Sequence, residues 1–104
     1  STLAVTLGLK GESVYAASKA GVECFSRAFA RELGDFNIRV NCIAPGPIKT
    51  DLLKGVSTAQ IDSIVSQQII PKQATPSDVC DLVEILLNEK TSSLSGQVLN
   101  IGGA

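Results

Sequence analysis

Apolar residues recur at intervals of three and four positions in three stretches of the chain, and this spacing predicts three helices. The first covers residues 13–33, with Ser13 as its N-cap and Gly34 as its stop. A short amphipathic helix is predicted within residues 58–69. A third helix begins at Thr75-Pro76-Ser77-Asp78, which combines an N-cap, a first-turn proline and an acidic residue at the positive helix end.

Two of these helices carry an apolar stripe. On the first helix we expect a buried stripe of Val22, Phe25, Phe29 and Leu33. The third helix carries a similar face made of Val79, Leu82, Val83, Leu86 and Leu87.

Strands are predicted where apolar residues follow one another almost without interruption, which is typical of parallel strands covered on both faces. Residues 38–44 and 97–101 fit this pattern, and the first five residues resemble the end of a third strand. The order of strand end, helix, strand, short helix, helix and strand indicates an α/β unit. No linker, repeat or low-complexity tract divides residues 1–104, so we treat them as one unit.

Composition excludes several functional classes. The 104 residues are 44% hydrophobic and 18% charged with a net charge of −1, which gives no electrostatic case for nucleic acid or an anionic membrane surface. No apolar run approaches the roughly 20 residues that span a bilayer. Cys24, Cys42 and Cys80 are widely spaced and the chain has no His, so we expect no metal site and interpret the cysteines as small buried residues in a reducing, cytoplasmic compartment.

Tyr15 and Lys19 form the most informative pair of the chain. Residues four apart lie on the same helix face. An ammonium near a phenol stabilises the phenolate and lowers the phenol pKa from its usual value near ~10, as general acid/base catalysis at neutral pH requires. Such a pair also arises by chance on helices where Lys is solvated and Tyr is half-buried.

Three segments together resemble the short-chain dehydrogenase/reductase family. They are Tyr15-Ala-Ala-Ser-Lys19, the run from Asn37 through Pro45-Gly46 to Thr50, and Gly96 to Gly103 near the end. The resemblance covers essentially all 104 residues and is closest in style to 3-oxoacyl-acyl-carrier-protein reductases. It implies the C-terminal catalytic part of a Rossmann-like, doubly wound parallel sheet, represented by three strands and their packing helices. The Gly-rich dinucleotide-binding turn of the family is absent, so we expect a complementary N-terminal half.

The resemblance also implies roles for single residues. Tyr15 would exchange a proton with a carbonyl or secondary alcohol, and Lys19 would assist it and bind the nicotinamide ribose. Ser1 would orient the substrate, although strict counting of the family spacing falls on Thr2.

The cofactor implied is NAD(P)(H), with NADP favoured slightly. Pro45, Gly46, Ile48 and Thr50 would contact it, together with Tyr15 and Lys19. Thr50 has an alternative role as the N-cap of a following helix.

Residues 51–74 match no sharp family pattern, and in related enzymes this region covers the substrate. The apolar side chains here would line an acyl pocket or belong to the core: Leu52, Leu53, Ile61, Ile64 and Val65.

The family implies a homo-oligomer, a dimer or tetramer, through helix 13–33. We interpret Phe25 and Phe29 as core residues, with a subunit contact as the alternative. A different function class also stays open, in which the chain is a non-catalytic assembly piece.

Overall fold

A computed structural model describes residues 10–51 and 55–103 of the chain. It contains three α-helices, α1 (Ser13–Leu33), α2 (Thr58–Ser66) and α3 (Pro76–Leu87), and two strands, β1 (Cys42–Pro45) and β2 (Val98–Ile101). Short 3-10 turns cover Gly34–Phe36 and Glu89–Thr91. The predicted strand end at residues 1–5, and with it Ser1 and Thr2, lies outside the described residues.

The first helix has the predicted length, but neither of its ends is formed as predicted. Its N-cap is Glu12, which makes no side-chain capping bond, so Ser13 is the first helical residue instead of the cap. Gly34 keeps right-handed helical geometry and continues into the 3-10 turn. The chain leaves the helix at Asn37, whose φ of 58° is left-handed and whose N–H donates to the Gly34 carbonyl.

The predicted burial of the α1 stripe is wrong for two of its members. Val22 is 45% exposed and Phe25 is 63% exposed, whereas Ala30 is buried. Phe25 stacks on Phe29 with 5.1 Å between ring centroids, and Phe29 is half-buried. A small residue, Ala30, makes the close approach to the sheet, because its Cβ lies 3.6 Å from where a Cβ on Gly96 would stand.

The two strands pair in parallel, with Cys42 opposite Val98 and Pro45 opposite Ile101. The predicted strand at 38–44 is therefore shorter and shifted. Just before β1, side-chain hydrogen bonds replace part of the backbone hydrogen bonding between the two strands. The Asn41 side chain donates to the Leu94 carbonyl (3.0 Å) and accepts from the Gln97 N–H (3.1 Å).

The predicted start of the third helix is confirmed, because Thr75 and Asp78 form a capping box and Pro76 occupies the first turn. The α2 helix has its own capping box between Ser57 and Gln60, and it ends at Ser66, before the predicted limit of 69.

The apolar face of α3 is only partly covered. Val83 is 40% exposed and Leu87 is 77% exposed. Arg39 ties the end of this helix to the sheet, since its guanidinium donates to the Leu86 carbonyl (2.6 Å) and the Thr91 carbonyl (3.0 Å).

Candidate active site

Tyr15 and Lys19 lie on the same face of α1, as their spacing predicts. The Lys19 Nζ atom lies 5.5 Å from the centre of the Tyr15 ring, within the range of a cation–π contact. Tyr15 is 46% exposed, and Lys19 is half-buried. The phenol is therefore within reach of a small molecule, and a positive charge stands beside it.

The direction of α1 places this pair near one end of the sheet. Ala30 approaches Gly96, just before β2, and the Val22 carbonyl lies 4.0 Å from the Cys42 thiol at the start of β1. The N-terminal part of α1 therefore extends toward the carboxyl ends of the strands. Tyr15 lies about 10 Å beyond Val22 along the helix, at roughly 1.5 Å per residue.

Pro45 lies about as far beyond Cys42 along β1, at roughly 3.3 Å per strand residue. Tyr15 and the end of β1 are consequently at similar depth. In open parallel α/β sheets ligands bind outside the carboxyl ends of the strands, so the predicted acid/base pair and the predicted cofactor loop lie at the edge where a ligand is expected.

The loop after β1 contains the predicted cofactor-binding residues. Pro45, Gly46 and Ile48 are half-buried, and Thr50 is exposed. Ile48 forms an isolated parallel bridge with Ala74, in which the Lys49 N–H donates to the Ala74 carbonyl at 3.2 Å.

The Ile48 N–H makes no hydrogen bond to any part of the chain that the structure describes, so this donor is available to a ligand. The alternative role of Thr50 as a helix N-cap depends partly on residues 52–54, which are not described.

The predicted site residues divide into two groups. Tyr15 and Lys19 are in contact, and the loop residues Pro45, Gly46, Ile48 and Thr50 follow one another at the end of β1. Ser1 lies outside the described residues and joins neither group. Leu52 and Leu53 of the predicted apolar pocket are also outside them, whereas Ile61, Ile64 and Val65 are half-buried on α2.

Sequence reasoning missed the segment that supports the loop after β1. Ala74 is buried and bonds the loop, and Gln68 is a buried amide upstream of it. The pattern of residues 58–69 marks a helix but carries no signal for a long-range contact of its last residues.

Within residues 10–51 and 55–103, no group of three or more His, Cys, Asp or Glu side chains is arranged to hold a metal ion. None of the helices in these ranges combines the length and the apolar character needed to cross a membrane.

Comparison with known proteins defines the class. A family model described as "Enoyl-(Acyl carrier protein) reductase" matches residues 1–103. The chain is 40% identical over 96 residues to the 3-oxoacyl-[acyl-carrier-protein] reductase FabG of Chlamydia muridarum, covering 92% of this chain and 39% of that protein. It is 35% identical to the short-chain dehydrogenase/reductase FrzI of a Cladobotryum species, covering 99% of this chain and 43% of that protein.

Solved structures agree. A short-chain type dehydrogenase/reductase from Mycobacterium ulcerans superimposes with a TM-score of 0.89 at 32% identity, covering 99% of this chain and 38% of that one. The chain belongs to the short-chain dehydrogenase/reductase family, and it resembles the 3-oxoacyl-acyl-carrier-protein reductases within it. Its described part is a piece of that family's Rossmann-like α/β sheet. The chain spans about two fifths of the length of these relatives.

Proposed function

We propose that this chain is the C-terminal catalytic part of an NAD(P)-dependent oxidoreductase that interconverts a carbonyl and a secondary alcohol. The observation that carries the proposal is the contact of Lys19 with Tyr15. The rise per residue of α1 and of β1 puts this pair at about the depth where the loop after β1 begins. The proposal includes a complementary N-terminal half, since the relatives are more than twice as long.

The described residues fit a nicotinamide dinucleotide, which presents a carboxamide, ribose hydroxyls and phosphates. The Ile48 N–H is an uncommitted donor for the carboxamide, and the exposed Thr50 hydroxyl suits a phosphate oxygen. The Lys19 ammonium can donate to ribose hydroxyls. When bound, the reduced nicotinamide supplies the hydride.

Tyr15 and Lys19 then act together in the reduction. Tyr15 donates its phenolic proton to the substrate oxygen, and Lys19 stabilises the negative charge that this leaves on the phenolate. In the direction of oxidation the Tyr15 phenolate removes the alcohol proton. Ser1, or Thr2 by strict spacing, orients the substrate oxygen in this proposal.

The substrate that we favour is a 3-oxoacyl thioester. Two observations support it: the relatives named as 3-oxoacyl-acyl-carrier-protein reductases, and the half-buried apolar residues of α2 beyond the cofactor loop, Ile61, Ile64 and Val65.

We favour NADP(H) over NAD(H) as the cofactor. We also favour a homo-oligomer, either a dimer or a tetramer, and a cytoplasmic location. The alternative is a non-catalytic assembly piece, which the open α1 and α3 faces favour.

The proposal is tested by cofactor binding to the chain together with its complementary N-terminal half. Titration with NADPH and with NADH, followed by fluorescence, should give saturable binding. Lys19→Ala should weaken that binding about tenfold, which corresponds to loss of one charged hydrogen bond. Lys10→Ala is the matched control, because Lys10 is exposed and lies before α1.

Binding that is equal in Lys19→Ala and Lys10→Ala would contradict the role of Lys19. No binding of either dinucleotide to the assembled wild type would favour the non-catalytic alternative.

A further inference from the structure

The segment between α2 and α3 contains a buried polar side chain that the acid/base pair does not use. Gln68 is 6% exposed, and it is the buried polar residue of the described ranges. Its Nε2 atom donates to the Ile70 carbonyl and to the Lys72 carbonyl, at 3.1 Å each. One amide therefore binds two carbonyls, two positions apart, in a stretch with no regular secondary structure.

This segment also reaches the end of β2. The Ile70 N–H donates to the Gly102 carbonyl at 2.9 Å. Gly102 has a φ of +87°, and a Cβ built on it would lie 2.6 Å from Gln68 Nε2. The side chain of Gln68 thus occupies the space that a larger residue at 102 would need, so the amide and the glycine backbone are packed tightly together.

At its other end the same segment holds the loop after β1. Ala74 is buried, and its carbonyl accepts from the Lys49 N–H at 3.2 Å. The chain from Gln68 to Ala74 therefore connects the carboxyl end of β2 to the loop that carries Ile48. Because Lys49 uses its N–H on Ala74, the neighbouring Ile48 N–H is left facing away from this contact.

We propose that Gln68 is a positioning residue for the dinucleotide, which acts by holding residues 70–74 between Gly102 and the Ile48–Lys49 backbone. The inference rests on the proposed function. Loss of the Nε2 donor frees the carbonyls of Ile70 and Lys72, loosens the strand-like contact at Ala74 and displaces the Ile48 N–H. We therefore expect a loss of Gln68 to weaken cofactor affinity and to leave the proton transfer nearly unchanged, because Gln68 is not part of the acid/base pair.

The test compares Gln68→Leu with Gln67→Leu in the assembled protein. Gln67 is the same residue type one position earlier, but it is exposed and bonds only within its own helix end, to the Ser63 carbonyl. Gln68→Leu should raise the Kd and KM for NADPH about tenfold while kcat stays within about twofold. Gln67→Leu should leave all three constants unchanged.

Amide hydrogen exchange gives a readout independent of turnover. The Lys49 amide should exchange faster in Gln68→Leu than in wild type, and it should not change in Gln67→Leu. Equal NADPH affinity and equal Lys49 exchange in the two variants would overturn the inference while leaving the proposed function intact. Failure of wild type to bind either dinucleotide would overturn both.

A second route covers the case in which Gln68→Leu does not fold. Gly102→Ala introduces the Cβ that meets Gln68, so it should weaken NADPH binding in the same way. In a Gln68→Ala background the same change should cost less, because the space has been cleared. Full additivity of the two effects would overturn the inference.

Discussion

At the scale of single residues, Tyr15 depends on few contacts for its position. Its backbone is part of α1, the Ser18 hydroxyl donates to its carbonyl at 2.7 Å, and Lys19 stands over its ring. Its phenol is not enclosed by the described residues, since the side chain is 46% exposed. The phenolic hydroxyl can therefore be removed with little effect on the packing of the chain.

Tyr15→Phe should lower kcat by about 10²-fold or more, the range typical of a lost general acid. The ring and its contact with Lys19 remain, so the thermal unfolding midpoint should change little. Turnover of a 3-oxoacyl thioester with NADPH, together with a melting curve, measures both effects. Tyr15 is the sole tyrosine of the chain, so no other phenol of the chain can replace it.

Ser18→Ala is the control for this change. It removes the hydrogen bond to the Tyr15 carbonyl, but the α1 backbone still holds Tyr15 and the phenol remains. We expect its turnover to stay close to that of wild type. Undiminished turnover in Tyr15→Phe would exclude Tyr15 from the mechanism.

At the scale of elements, the sequence predicted best what depends on neighbouring residues. The predicted start of α3 is correct because a capping box uses only Thr75 and Asp78, two residues that lie three positions apart in the chain. The Tyr15 and Lys19 pair was brought together for the same reason, as one helical turn decides it.

Features that depend on distant contacts could not be predicted in this way. The strand after α1 begins late because the Asn41 side chain bonds residues more than fifty positions away. Gln68 is buried against Gly102, a contact that no local pattern encodes. Phe25 fits a core stripe by spacing, yet only the packing of α1 through Ala30 reveals that it faces outward.

The capping box of α3 makes a prediction about pH. The Thr75 backbone N–H, at 2.7 Å, and then its hydroxyl, at 3.1 Å, hold the pKa of Asp78 below its ordinary value. A carboxylate with a depressed folded-state pKa stabilises the fold above the unfolded pKa near ~3.9, and this contribution is lost as the pH falls through the folded value.

Asp78→Ala should therefore lower the melting midpoint of the assembled protein by a few degrees at pH 7, and by progressively less below pH ~4. Asp81→Ala, an exposed carboxylate further along the same helix, should show a smaller loss at pH 7. A difference between Asp78→Ala and wild type that persists unchanged at pH 3 would contradict the role of the ionised carboxylate.

At the scale of the whole molecule, the described residues bury little apolar volume. The buried hydrophobic residues are all small: Ala30, Cys42, Ala44 and Ala74. A groove of about 390 Å³ lies between β1 and α3, bordered by Ile43, Val83 and Leu87 among others. The stability of a small domain depends on the fraction of its surface that it buries. The proposed partners, an N-terminal half and further subunits, would bury the apolar surface that the described residues leave exposed.

A substitution at Phe25 can show whether this side chain is covered by another subunit or by the N-terminal half. A charge placed at a residue that is 63% exposed disturbs the chain itself little, but it would disrupt the apolar subunit contact proposed for this face of α1. In the assembled protein, Phe25→Glu should reduce the number of subunits measured by sedimentation, with NADPH affinity changed less than twofold. Arg27→Glu, exposed and two positions away on another side of α1, should leave the assembly as in wild type.

The opposite pattern would assign Phe25 differently. An unchanged subunit number together with a melting midpoint that falls by several degrees would mean that the N-terminal half covers Phe25, as the core interpretation of this residue requires. Because Arg27→Glu reverses a charge on the same helix, a general loss of stability from altered helix charge would appear in both variants. Only an effect confined to Phe25→Glu therefore reports on the surface that α1 leaves open.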